Sequence, residues 1–83
     1  MFTVYILYSE KLNRYYVGYT NDIARRISEH NRPKGKYTDL GIPWKIAYTE
    51  EYKTSKEARA REKFIKSRKS KQFISDLVLA SRS

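Results

Sequence analysis

Cysteine is absent from this chain and histidine occurs once, at position 30. Disulfides and thiolate metal sites are therefore excluded, and a histidine-based zinc site has too few ligands. No apolar run approaches the roughly 20 residues a membrane-spanning helix needs. The opening stretch MFTVYILYS reads as a strand and lacks the basic leader of a secretory signal. A cytoplasmic setting with no membrane partner is expected. Glycine and proline are scarce, three and two, and all but one of the glycines and both prolines fall in NRPKGKYTDLGIP, residues 31–43. That segment is expected to be a loop without structure of its own, and loops of that length are more often functional than decorative.

Acidic charge is the other shortage. Nine Asp and Glu stand against eighteen Lys and Arg, leaving a net charge of +9 on 83 residues. A polyanion is the natural partner, and nucleic acid is the commonest one. Residues 53–71, KTSKEARAREKFIKSRKSK, hold nine basic and two acidic residues. Such a run also suits a plain solvated helix surface, but phosphate binding needs nothing more than clustered Lys and Arg. Arg25, Lys34, Lys36, Lys63 and Lys66 are the expected nucleic-acid contacts. With 40% apolar and 33% charged residues, the composition is that of a folded chain, and residues 1–83 are expected to form one domain around a single small core.

What is abundant is tyrosine: five of the eight fall in VYILYSEKLNRYYVGYT, residues 4–20. FTVYILYS predicts a strand over 2–9, EKLNR a polar connection, and YYVGY a second strand over about 15–19, paired as an antiparallel hairpin. Thr20 or Asn21 is expected to cap a helix running to about His30, with Ile23 and Ile27 on its buried side. WKIAYTEEY predicts a third strand. TSKE forms a capping box for a helix over about 55–67, whose apolar residues are Ala58, Ala60, Phe64 and Ile65. A last helix starts at Ser70 and carries Phe73, Ile74, Leu77 and Val78. The expected fold is α+β, a three-stranded antiparallel sheet flanked by three helices.

Alternation places Phe2, Val4, Ile6 and Tyr8 on one face of the first strand and Tyr5 and Leu7 on the other. Tyr16 lies beside Gly18 on one face of the second strand, with Tyr15, Val17 and Tyr19 opposite. Tyr5 and Tyr16 thus sit on the less apolar sides, and Gly18 leaves an unfilled space beside Tyr16, as where a ligand or another backbone approaches closely. Ordinary strand tyrosines fit the same pattern. Arg26 and His30, four apart, project from one helix face. The first can grip a phosphate bidentately and the second can move a proton near neutral pH, or both are a solvated pair. At about 100° per residue, Glu62 borders the stripe of Ala58 and Ile65. It either pairs with Lys63 or Lys66 or offers a hard oxygen ligand for Mg²⁺.

VYILYS followed by YYVGYT resembles the two-part signature of the GIY-YIG nuclease superfamily, with Val4-Tyr5 and Tyr16-Val17-Gly18 as its core. The spacing to Arg26, His30 and then ARARE ending in Glu62 is similar to that of the small stand-alone members. GKYT (35–38), the tryptophan-led third strand and KFIKSRKSKQFI extend the resemblance over nearly the whole chain. It implies metal-dependent phosphodiester hydrolysis, with Mg²⁺ or Mn²⁺ held by Glu62 and the phosphate clamped by Arg26. One phenol, of Tyr5 or Tyr16, would act as base and the other orient the water, with His30 supporting proton transfer. A free phenol titrates near ~10, so the surroundings have to lower it. Thr3 stands in place of the motif's first glycine and Val17 in place of its isoleucine, both at tolerant strand positions. Tyr19 stands where some relatives place a lysine near the site. Relatives with known targets usually carry a further binding domain, so a protein partner is expected to supply specificity here.

Two functions from different classes follow. One is a small endonuclease-like enzyme acting on DNA ahead of RNA. The other is a weakly active or inactive nucleic-acid-binding module, or partner subunit, on the same scaffold.

Overall fold

A strand that is apolar on both of its alternating faces is stable only between two covering layers. The run Phe2–Ser9 is such a strand, and its residues 3–7 are all buried. It forms β1, the centre of a sheet of order β2-β1-β3, in which β2 is Arg14–Thr20 and β3 is Trp44–Tyr52. The computed structural model describes residues 1–81. Helix α1 (Ile23–His30) lies between β2 and β3 in the chain, and α2 (Ser55–Ser67) and α3 (Lys71–Ala80) follow β3. The expected α+β fold and its three strands and three helices are borne out.

Both pairings are antiparallel. Tyr5 faces Gly18 and Leu7 faces Tyr16 across to β2, while Tyr5 faces Thr49 on β3. The β3 register shifts between Ile6 and Leu7, so that Ala47 has no partner on β1. On one face, Val4, Ile6 and Val17 pack against Ala58 and Ile65 of α2, with Ile74 and Leu77 of α3 closing the edge. The other face holds Tyr5, Leu7 and Trp44, covered by Leu12, Ile23, Ile27 and Ile42. The single core expected from the sequence is thus two, one on each side of the sheet. Tyr5 does not lie on a less apolar side either: because β1 is central, both of its faces are core.

Two further expectations are corrected, on the cap of α1 and on the segment 31–43. Thr20 belongs to β2 and pairs with Thr3. Its hydroxyl accepts the Asp22 N–H at 3.1 Å, and Asp22 caps α1 by accepting from the Arg25 N–H at 3.0 Å. In α2 only Ala58 and Ile65 are buried; Ala60 is exposed and Phe64 stacks outside with Arg61, Arg68 and Phe73. Both lie more than a quarter-turn from the Ala58–Ile65 stripe. The segment 31–43 is also not structureless, since Tyr37–Gly41 forms a 3₁₀ turn. Asp39 holds it by accepting from the backbone N–H groups of Lys34, Gly35 and Lys36 at 2.8, 2.6 and 3.2 Å. Gly41 lets the Trp44 ring close over it, since a Cβ there would stand 2.6 Å from that ring.

Glu50 pairs with Val4 and so points to the α2 side of the sheet. There it accepts from Arg61 Nε at 2.9 Å and Nη2 at 3.1 Å, from Tyr52 Oη at 2.7 Å, and from the Tyr48 hydroxyl. Burial alone pushes the carboxyl up, but the hydrogen bonds from Arg61, Tyr48 and Tyr52 outweigh it and hold the pKa below 4.5. A carboxyl depressed in the folded state adds stability that is complete above its unfolded value. Glu50 therefore stabilises the fold fully above about pH 4.5 and progressively less as the pH falls below it. Glu50→Gln should lose about 1–3 kcal/mol at pH 7, the usual cost of unpairing a covered charged hydrogen-bond network. The deficit should shrink at pH 3, as read by urea unfolding at both pH values. An equal deficit at the two pH values would mean that the charge of Glu50 is not what stabilises.

Candidate active site

Gly18 has no side chain, and Tyr5 uses the room. A Cβ at position 18 would lie 2.5 Å from the Tyr5 hydroxyl and 2.7 Å from its ring carbon Cζ. The space beside Gly18 is therefore filled by the phenol end of Tyr5 reaching across from β1. Tyr16, two residues earlier on the same face of β2, is 37% exposed. Its ring meets the His30 imidazole edge-on at 4.5 Å between centroids, and Tyr5 meets the same imidazole at 6.2 Å. Trp44 stands behind the group, 6.3 Å from Tyr16 and 6.5 Å from His30.

Helix α1 reaches this place because Ile23 and Ile27 pack on the Tyr5 face, which turns Arg26 and His30 toward the tyrosines. The end of the helix is fixed by Asn31. Its side chain accepts the Trp44 N–H at 2.6 Å and donates to the Trp44 carbonyl at 3.0 Å. Arg26 Nη1 lies 3.5 Å from Glu29, while its Nε is buried with no hydrogen-bond partner. Glu62 on α2 completes the set. It acts on Tyr5 electrostatically, as do Tyr16, Arg26 and Glu29, and its side chain is 16% exposed.

Burial pushes the Tyr5 phenol up to about 12, with the negative ends of Tyr16, Glu62 and Glu29 adding to the shift and Arg26 opposing it. Burial lowers His30 below 6.5, helped by the Lys34 and Arg26 charges against Glu29. At neutral pH Tyr5 is thus a hydrogen-bond donor and His30 an uncharged imidazole. Tyr5, Tyr16 and His30, from β1, β2 and α1, thus meet beside Gly18, and Arg26 of α1 and Glu62 of α2 lie near enough to act on Tyr5.

The expected nucleic-acid contacts are dispersed around that point. Arg25 is held by Asp22 at 3.8 Å and Glu29 at 3.6 Å. Lys34 folds back so that its ammonium donates to the Glu29 carbonyl. Lys36 is exposed on the loop that Asp39 holds. Lys63 lines a groove with Tyr19, Lys56 and Arg59, and Lys66 lines a second with Tyr15, Tyr16 and Lys69. Among the described residues no three of His, Cys, Asp and Glu cluster as metal ligands. Glu62 alone still fits Mg²⁺ or Mn²⁺, because such ions keep several waters and take one or two carboxylates plus substrate phosphate oxygens. Trp44, Asn31 and Glu29 were not singled out in the sequence. Only the tryptophan-led strand hinted at the first, and nothing in the sequence links Asn31 to a strand thirteen residues on.

The fold is a nuclease-type α+β scaffold, and the chain belongs to the GIY-YIG family, whose catalytic-domain model matches residues 1–74. Nucleases of that family generally use a divalent metal. The chain is similar to several UPF0213 proteins. It is 41% identical over 66 residues to one from Streptococcus pneumoniae, covering 75% of this chain and 67% of that one. It is 40% identical over 66 residues to YazA of Bacillus subtilis, covering 76% and 67%. An archaeal counterpart from Halobacterium salinarum is 45% identical over 53 residues, covering 63% and 69%. The solution NMR structure of UPF0213 protein BH0048 from Bacillus halodurans superposes with a TM-score of 0.54 at 36% identity, covering 90% of this chain and 84% of that one. These names specify no substrate. No helix among the described residues is long and apolar enough to cross a membrane.

Two measurements check the geometry. An NMR titration should place the His30 midpoint below 6.5, and Lys34→Gln should raise it only partway, because burial is the larger cause. A midpoint unmoved by Lys34→Gln would mean the lysine charge is not felt at the ring. Gly18→Ala should displace the Tyr5 ring, seen as a changed near-ultraviolet circular dichroism, and destabilise the protein by about 1–3 kcal/mol as overpacking does. An unperturbed Tyr5 in that variant would contradict the close approach.

Proposed function

We propose that this chain is a divalent-metal-dependent nuclease that hydrolyses phosphodiester bonds of nucleic acid, DNA ahead of RNA, in the cytoplasm. The observation that carries the reading is the meeting of Tyr5, Tyr16 and His30 from separate elements, with Arg26 and Glu62 near enough to act on Tyr5. Glu62 would hold one Mg²⁺ or Mn²⁺. Such an ion, when bound, neutralises charge on the scissile phosphate and stabilises the leaving oxygen. The part-exposed guanidinium of Arg26, held at Nη1 by Glu29, clamps the phosphate as its charge grows in the transition state. Tyr5 keeps its proton at neutral pH and serves best as the donor that orients the attacking water. Tyr16 is the more open of the two phenols and lies against His30, whose neutral imidazole can take the water's proton. Arg25, Lys34, Lys36, Lys63 and Lys66 hold the flanking phosphates, and a protein partner supplies target choice.

The binding-module reading draws on one observation. Lys66 Nζ lies 3.3 Å from the Glu62 carboxylate, where a cation would sit. A panel of DNA and RNA duplexes, branches and single strands, incubated with Mg²⁺ or Mn²⁺ and with chelator, separates the two. Cleavage that chelator abolishes is expected, and binding without cleavage of any substrate would favour the module. Tyr5→Phe or Tyr16→Phe should lower cleavage by roughly 10²-fold or more. Tyr8→Phe, whose hydroxyl only donates to Asn13 at 2.8 Å, should stay near wild type. Equal small effects from all three would return the tyrosines to packing. Binding should weaken steeply with salt, by about 0.9 log units per tenfold salt for each phosphate contacted on duplex DNA.

A further inference from the structure

The basic residues of α2 are not equivalent. Lys56, Arg59, Lys63 and Lys66 recur at helical spacing along one side of the helix. Among the described residues, only Lys66 of this row lies within ion-pairing distance of a carboxylate, its Nζ 3.3 Å from Glu62 Oε2. The two ends of the pair differ: the Glu62 side chain is 16% exposed and that of Lys66 53%. Lys66 is the cation that stands beside this covered carboxylate. The same lysine also lines the groove formed by Tyr15, Tyr16, Val17 and Lys69 along the β2 edge. Lys66 thus touches Glu62 and borders the groove at once.

We propose that Lys66 exchanges between Glu62 and a phosphate lying in that groove, and thereby couples cation binding at the carboxylate to phosphate binding. This rests on the assignment of Glu62 as metal ligand. A divalent cation and an ammonium cannot share one carboxylate without strong repulsion at a few ångströms. A cation arriving at Glu62 therefore releases Lys66 into the groove, where it meets phosphate. A phosphate in the groove draws Lys66 away and uncovers Glu62. Linkage makes the two effects equal in size, so each ligand strengthens the other. In the protein alone, the lysine keeps the carboxylate masked.

Wild type, Glu62→Gln, Lys66→Gln and the double variant test this, each first checked for folding by circular dichroism. Binding to a fluorescent DNA hairpin is measured without metal, so that no cleavage intervenes. Glu62→Gln should tighten binding about twofold to fivefold where Lys66 is present, the scale of a freed surface ion pair. In the Lys66→Gln background the same change should do little. Equal gains in both backgrounds would show plain charge repulsion and overturn the exchange. Mg²⁺ is also titrated calorimetrically into each protein alone. Lys66→Gln should bind the ion at least about threefold more tightly than wild type, since a competing charge is gone, and unchanged affinity overturns the proposal. Mg²⁺ binding that survives Glu62→Gln undiminished rejects the metal assignment itself, and the exchange with it. That failure is recognisable because wild type and the Glu62 variant then titrate alike.

Discussion

The phenol of Tyr5 lies where any side chain at position 18 would have to go, and the site is arranged around that contact. β1 is central and buried on both faces, so Tyr5 cannot turn toward solvent from its own strand. Only a neighbour without a Cβ lets its hydroxyl reach the β2 edge. The ring then becomes part of the core on which Ile23 and Ile27 dock. The docking of α1, in turn, decides where Arg26 and His30 stand. One absent side chain thus orients a helix and two polar groups.

The few acids of this basic chain divide by their partners. Glu50 is gripped by Arg61 and by the hydroxyls of Tyr48 and Tyr52, a closed set that leaves it no freedom. Asp39 is spent on three backbone N–H groups that shape the loop. Glu62, though about as covered as Glu50, has a single flexible lysine beside it. The contrast supports a structural role for the first two and a role in ligand exchange for the third. It also separates the carboxylates by element: the locked one is on β3, at one edge of the sheet, and the open one faces the opposite edge.

Much of the fold was legible because its signals are local. Alternation marks the strands, Thr54 and Ser70 cap their helices through the expected N–H groups, and the 3.6-residue period puts Ala58 and Ile65 inside. Misreadings arose where a distant partner decides. Whether Tyr5 faces core or solvent depends on the sheet order, which a hairpin motif does not carry. Thr20 has the chemistry of a cap, but pairing with Thr3 keeps it in the strand and passes the cap to Asp22. Phe64 is apolar yet sits outside, where the guanidinium groups of Arg61 and Arg68 cover its ring. Of the candidate residues, motif and helical spacing anticipated the neighbourhood of Tyr5, Tyr16 and His30. The roles of Trp44 and Asn31 require knowing that α1 ends against the start of β3.

That junction has a consequence of its own. Asn31 binds both backbone groups of Trp44, closing the chain into a ring at the point where the loop leaves α1 and where it rejoins the sheet. Segment 32–43 is therefore anchored at its base independently of its contents. Its length and sequence can diverge between relatives without moving His30, the residue just before the anchor. The scaffold thus holds the Tyr16–His30 contact in register beside a segment whose contents bear no part of the anchoring.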